Sequence, residues 1–468
     1  MGNSRNSYLI KNTMIFTLGN LGSKLISFFL IPLYTNALTT TEYGVVDLIA
    51  TVGTVAVPVL TLNICESVMR FALDKDANKD KITQIGTNLL LIGMVVGLVI
   101  FPICHSFNRI SQYSVFVYFY VISLAASQLY LCDLRGKELL VYYSIGNVLH
   151  TFFIAALNIL FLVVFKGGIE GYLNAYIIAN ILTATYALIM GKGYRSFSFS
   201  GVDKKLLQRM IKYSIVLIPN SFMWWIMNSS DRVMVSSMVG IAANGIYAVS
   251  YKLPTLVSTL TTIFNQAWSY SAIREEGTED ENEYNNKIFR TLIGIVMLIG
   301  IGLITFMKPF LSIYVAKEYY VAWKYTPFLT VGCVYLTLAT FMATSYTVHK
   351  DSFGYLFSGM FGATFNIVMN LALIPLIGVY GAAIATCISY MLVFVFRLFH
   401  TRKYIRYNIK NKKFIVGSAI LILSACLMFV DNLFGFTLQC ALMLIAIYSF
   451  SDVWFPMFKK LLKIKGKQ

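Results

Sequence analysis

Residues 227–253, MNSSDRVMVSSMVGIAANGIYAVSYKL, decide the fold. They set Asp231 beside Arg232, and Lys252 further on, in chain otherwise apolar enough to cross a bilayer. Each such charge costs at least about 2.5–3.5 kcal/mol on insertion scales, so its presence needs a reason. Outward from this stretch the same texture recurs. Apolar runs of roughly 20 residues, the length that spans the hydrocarbon core, start near Thr13, Gly44, Gly86, Tyr113, Leu139, Ile169, Met210, Gly245, Ile288, Trp323, Phe353, Val379, Phe414 and Phe434. Hydrophobic residues make up 57% of the 468, charged ones 13%, and mean hydropathy is +0.69. The chain reads as an all-α integral membrane protein of about 14 transmembrane helices, with connections too short to hold a soluble domain. The first run, 13–38, is too long for a signal h-region and is read as the first span.

The formal net charge of +17 does not point to nucleic acid, because of where the charge sits. Taking the connections alternately, about thirty Lys and Arg fall on one side, four on the other and four inside spans. That is the positive-inside pattern, and it predicts a multi-pass protein of the cytoplasmic (inner) membrane with both termini cytoplasmic. The seven cysteines lack CxxC spacing and read as small buried hydrophobes.

The quoted stretch also repeats an earlier one. A shift of 201 residues lays EYGVVDLIATV (42–52) over ANGIYAVSYKL (243–253) and Lys11 on Lys212. Further on the offset drifts to about 210–213, pairing Gly146 with Gly359, Asn158 with Asn370 and Gly171 with Gly381. This predicts a six-span lobe over 1–200, a second over 201–405, and two additional spans with a basic cytoplasmic tail over 406–468. Six is even, so both halves enter the membrane in the same direction, as parallel repeats do in secondary transporters. Duplication without functional trace is the plainer alternative.

Polar stripes run along four spans at helical spacing: Thr13, Thr17, Asn20, Lys24 and Ser27; Asp47, Thr51, Thr54, Pro58 and Thr61; Ser221, Trp225, Asn228 and Arg232; and Lys252, Thr255, Thr259, Thr262 and Gln266. Threonine and serine can be there simply to pack helices in lipid. The deep charges are harder to explain that way, since such groups face a wet cavity or a partner. Lys24, Arg232 and Lys252, with Asn20, Asn228 and Trp225 beside them, are therefore the candidate substrate-binding residues, and a basic site suits phosphate oxygens. Asp231 and Arg232 point about 100° apart, so each serves a different neighbour; Arg232 is expected to face the cavity and Asp231 to orient it or pair with Lys252. Asp47 and Asp231 are the candidate ion-coupling residues, and a purely structural ion pair between spans 7 and 8 is the alternative. Trp224 and Trp225 suit sugar stacking or plain packing.

The segments IPLYTNALTTTEYGVVDLI (31–49) and DRVMVSSMVGIAANGIYAVSYKL (231–253) resemble the bacterial polysaccharide (O-antigen type) repeat-unit flippases of the multidrug/oligosaccharidyl-lipid/polysaccharide exporter superfamily. The resemblance implies two six-helix lobes around a V-shaped central cavity. It also implies alternating access that carries undecaprenyl-pyrophosphate-linked oligosaccharide from the inner to the outer leaflet. By the same resemblance Lys24 and Lys252 correspond to cavity cations of related lipid flippases, Arg232 to the base of the span-7 motif, and the last two spans to a groove for the lipid tail. Polysaccharide polymerase or assembly proteins become possible partners, beside the membrane lipids. No cofactor is expected beyond a coupling ion, H+ or Na+. GKGYRS at 191–196 lacks Walker A spacing, and the four histidines lack ligand spacing. The rivals are a lipid II flippase, a drug or cation antiporter with an acidic cavity, and a polymerase, whose long basic external loop has no counterpart here. The acidic stretch 274–287, REEGTEDENEYNNK, reads as a solvated loop.

Overall fold

The computed structural model describes residues 26–74, 76–105, 111–274, 276–409 and 412–456. Among the described residues every apolar run is helical: α1 (Ile26–Ala37), α2 (Thr40–Leu60), α3 (Ile64–Ala72), α4 (Lys79–His105), α5 (Ser114–Gly136), α6 (Leu140–Asn158), α7 (Gly168–Met190), α8 (Lys204–Met238), α9 (Ile241–Ser250), α10 (Pro254–Arg274), α11 (Glu281–Tyr314), α12 (Thr326–Val348), α13 (Ser352–Ile377), α14 (Val379–His400), α15 (Lys412–Leu427) and α16 (Leu433–Ser449). There is no strand among the described residues. Nine of the described helices are long and apolar enough to cross a membrane by themselves. Hydrocarbon offers the backbone no partners, so helices that satisfy their own amides are the outcome such runs require.

By contact the chain divides into two compact units, Met1–Ser236 and Ser237–Gln468. This boundary falls one helix later than the repeat boundary at 200/201, because α8 packs on the first unit. Ser67 Oγ donates to the Met210 carbonyl at 3.1 Å, and Phe71 meets Tyr213 edge-on. Within each unit the packing follows one scheme. In the first, α5 lies against α7, α6 against α7 and α2 against α5; in the second, α12 lies against α14, α13 against α14 and α10 against α12. The most lipid-exposed spans correspond as well, α6 with its following turn at 22% buried and α13 at 28%. The two additional helices, α15 and α16, pack on α11, and α15 also on α12, which helps make α12 the most enclosed span at 89%.

Two spans read as continuous are broken. Span 2 stops at Thr61–Asn63, where Leu62 and Asn63 take φ of 52° and 53° and the Asn63 amide donates to the Pro58 carbonyl at 2.8 Å. Span 8 stops at Tyr251–Leu253, just before Pro254, whose ring disfavours helix in the residue ahead of it.

Three readings need correction. Cys65 and Cys132 are not isolated hydrophobes; they form a disulfide between α3 and α5 with Cα atoms 5.8 Å apart. These helices approach closely because Gly136 has no side chain; a Cβ there would sit 2.8 Å from that of Ala72. Arg397 and Lys137 fall among the bases of the heavier side, yet Arg397 is buried and Lys137 is half-buried and ion-paired. Arg397 donates to Ser358 Oγ at 3.1 Å and the Ala339 carbonyl at 2.9 Å, and Lys137 to Asp133 at 2.7 Å and the Gly191 carbonyl at 2.8 Å. The acidic stretch is only partly loop: from Glu281 it forms the first turns of α11, where Glu281 and Glu283 complement the helix dipole.

Candidate substrate and ion site

The site in the first unit is built on α2. Thr39 caps this helix: its hydroxyl accepts from the Glu42 amide at 3.3 Å, and the Glu42 carboxylate accepts from the Thr39 amide at 2.8 Å. Asp47 then lies two turns in, with its side chain 6% exposed. Its carboxylate accepts from Arg232 Nη1 on α8 at 3.1 Å. One turn along α2, the Thr51 carbonyl accepts from Trp225 Nε1 at 2.9 Å. Residue numbers rise along α2 while they fall along α8, so the two helices run antiparallel through this pair of contacts.

The Arg232 guanidinium thus meets an acid from another helix, as the 100° offset from Asp231 allows. Asp231 is 1% exposed, and its Oδ1 accepts from the Arg232 backbone amide at 2.9 Å. The Trp225 indole stacks on Phe222 at 5.8 Å between centroids, and Asn228 donates to the Trp224 carbonyl one turn back at 2.7 Å. Asn20 and Lys24 lie outside the described residues.

Lys252, in the second unit, occupies the break between α9 and α10 and is half-buried. Its amide donates to the Val249 carbonyl at 3.0 Å, and its carbonyl accepts the Thr255 hydroxyl at 2.7 Å. Thr259 and Thr262 likewise donate to carbonyls one turn back, so these threonines satisfy their hydroxyls within α10.

Sequence reasoning missed a tyrosine cluster beside Asp47. Tyr34 lies 6.2 Å from Tyr43 and 5.1 Å from Tyr172 between ring centroids, Tyr172 stacks on Tyr176 at 4.7 Å, and Tyr120 is 6.2 Å from Tyr176. The signal was present in Tyr43 one turn before Asp47 and in the i,i+4 pair Tyr172/Tyr176, but 30 tyrosines in the chain hide it. His150, read as a packed polar residue, shares a 3.0 Å hydrogen bond with Asn180. Chemically, the first unit holds a guanidinium against a carboxylate of another helix, with Tyr43 one turn before the acid and Trp225 two turns before the base. Such a pair can trade its carboxylate for another anion or its charge for a proton or cation.

The profile of the polysaccharide biosynthesis protein family matches residues 9–270. An uncharacterized membrane protein of Methanocaldococcus jannaschii is 23% identical over 330 residues, 64% of this chain and 61% of that protein, so less than two thirds of that relative is matched. Among solved structures, the lipid II flippase MurJ in an inward closed conformation superposes with a TM-score of 0.65 at 14% identity, covering 96% of this chain and 99% of its own. An inward-facing multidrug resistance MATE family transporter of the MOP superfamily gives 0.60 at 15%, covering 83% and 94%. An outward-facing MATE structure gives 0.58 at 14%, covering 84% and 95%. The fold is therefore that of these transporters, and the coverage by MurJ leaves too few residues outside to omit α15 and α16. With more than half its length inside the family profile, this multi-pass membrane chain belongs to the polysaccharide biosynthesis protein family.

Proposed function

We propose that the chain moves a polyprenyl-pyrophosphate-linked oligosaccharide, of the undecaprenyl type, from the inner to the outer leaflet by alternating access. The observation that carries this reading is the Asp47–Arg232 pair, a half-buried guanidinium held by a buried carboxylate on a polar helix face in a member of this family. A pyrophosphate drawn through hydrocarbon loses its hydration, and fixed cations with polar neighbours supply substitute contacts. Lys24, Arg232 and Lys252 supply the charge, Asn20 and Asn228 hydrogen bonds, and Trp225 an aromatic face. In this cycle the phosphate displaces Asp47 from Arg232, and the released carboxylate takes up the coupling ion, H+ or Na+, with Asp231 holding the Arg232 backbone in place. No covalent step is needed. The polyprenyl tail stays in lipid, and the sugar is handed to polymerase or assembly proteins at the outer face.

The test replaces Lys24, Arg232 and Lys252 singly with Gln and measures surface polysaccharide alongside the amount of membrane-inserted chain. Surface polymer is expected to fall at least tenfold in Arg232→Gln with insertion unchanged; normal polymer from all three variants would remove the reading. The lipid II alternative is supported by the shared fold with MurJ over 96% of the chain. It predicts rescue of a strain lacking its lipid II flippase, and the polysaccharide reading predicts none.

A further inference from the structure

Cys65 and Cys132 sit where a covalent tie would act on a break in a membrane helix. Cys65 is the second residue of α3, directly after the left-handed pair Leu62 and Asn63 that separates α3 from α2. Cys132 lies on α5, four residues before its end. The two are joined across a sequence separation of 67 residues, between helices already pressed together at Gly136 and Ala72. Neither is deeply enclosed, since both are half-buried. The exposed Glu66 adjoins Cys65, the exposed Arg70–Asp74 pair marks the C-terminal end of α3, five residues on, as water-facing, and Arg135 does so for the C-terminal end of α5. The bridge thus lies about one turn from the aqueous boundary, within reach of small soluble thiols and disulfides. The opposite redox state has a place as well: the Gln128 carbonyl lies 3.5 Å from Cys65 Sγ, where it can accept the thiol proton once the bridge is reduced.

We propose that Cys65 and Cys132 form a reversible dithiol–disulfide couple that, when oxidised, ties the α3 segment to α5 below the break in span 2. The oxidant is a small-molecule disulfide. One cysteine thiolate attacks it, forming a mixed disulfide and expelling one thiolate; the second cysteine thiolate attacks the protein sulfur of that mixed disulfide and expels the other. Two protein thiols and one disulfide thus give the protein bridge and two small thiols. Excess dithiol reverses both steps. The consequence is local: α2, which carries Asp47, keeps its hinge at 61–63, while α3 beyond the hinge is fixed.

The test reads thiols in the full-length chain and does not involve transport, so its failure leaves the proposed function untouched. Membranes holding the chain are treated with glutathione disulfide or with dithiothreitol and quenched in acid. They are then denatured, blocked with N-ethylmaleimide, reduced and labelled with a mass-tagged maleimide. Two tags per chain are expected after the disulfide and none after dithiothreitol. The two tags should persist when the other five cysteines are replaced, and vanish in Cys65→Ser and in Cys132→Ser. No tags on the wild-type chain after the disulfide, a bridge that dithiothreitol leaves intact in native membranes, or two tags persisting in Cys65→Ser would each overturn the proposal. The wild-type result decides even where a serine variant fails to insert.

Discussion

Asp47 and Arg232 are each expensive in a membrane helix, and each makes the other tolerable. Removing one partner leaves the other charge buried, which costs about 3 kcal/mol for enclosed pairs, whereas removing both removes the charge problem as well. Asp47→Asn and Arg232→Gln are therefore each expected to lower the thermal midpoint of the detergent-purified protein by several degrees. The double variant should lose less than the sum, by a coupling of about 1–2 kcal/mol. Strict additivity would mean that the 3.1 Å contact contributes nothing and that Asp47 has another task. At this scale the sequence was legible in part. Asp47, Trp225 and Arg232 were all singled out by helical spacing, but which acid met Arg232 was not. Spacing fixes the face of one helix; the partner across from it depends on how two helices dock, and no local pattern records that.

At the scale of elements, duplication is visible in how equivalent residues behave. Asn158 and Asn370, paired by the offset in sequence, are both fully buried and donate to the carbonyl one turn back, at 2.8 and 2.9 Å. Gly171 and Gly381, also paired, each let a helix cross the backbone of the one before it: a Cβ on Gly171 would sit 3.1 Å from the Phe161 carbonyl, and one on Gly381 would collide with Leu373. The broken spans were legible only through Pro58 and Pro254, since the left-handed turn at Leu62 and Asn63 has no glycine to announce it. The strap after α14 was not legible at all. Its backbone is held by side chains of α11, with the Asn408 amide donating to Asn286 Oδ1 at 2.7 Å and the Arg406 amide to Asn282 Oδ1 at 3.2 Å. Asp351, which caps α13, fastens the same strap through Lys403 at 2.8 Å and Tyr404 at 2.9 Å. The Lys403 ammonium, then the Gly354 amide, hold the Asp351 carboxyl down to about 2. A carboxyl depressed on folding stabilises above its unfolded range near 4, and that contribution is lost as pH falls from 4 through 2. Asp351→Asn should accordingly lower the thermal midpoint at pH 7, with the gap from wild type closing between pH 4 and 2. A gap that stays constant across that window would show that the carboxylate charge plays no part in holding the strap.

For the whole molecule, orientation in the membrane gives the proposed transport its direction. The positive-inside bias is counted over connections close to span ends, and here about thirty bases oppose four. Lys308, six residues before the end of α11, is drawn to Asp431 at 2.9 Å and over the Trp323 ring at 4.0 Å, which adds a base to the lighter count. Setting aside the buried Arg397 and the ion-paired Lys137 takes two from the heavier, which remains several times larger. With that orientation the Asp47–Arg232 contact lies toward the outer ends of α2 and α8, since Asp47 is seven residues from the start of one helix and Arg232 six from the end of the other. A phosphate arriving from the inner leaflet then meets Arg232 only after travelling most of the membrane's depth, so its displacement of Asp47 comes late in the cycle. A reporter fluorescent only in the cytoplasm should therefore light up when fused after Gln468. Alkaline phosphatase fused at Lys166 or at Asn432 should be active by roughly tenfold over the same enzyme fused at Lys192 or Lys350. The reverse pattern would turn the site to face the other leaflet, and the substrate would have to be one delivered from outside.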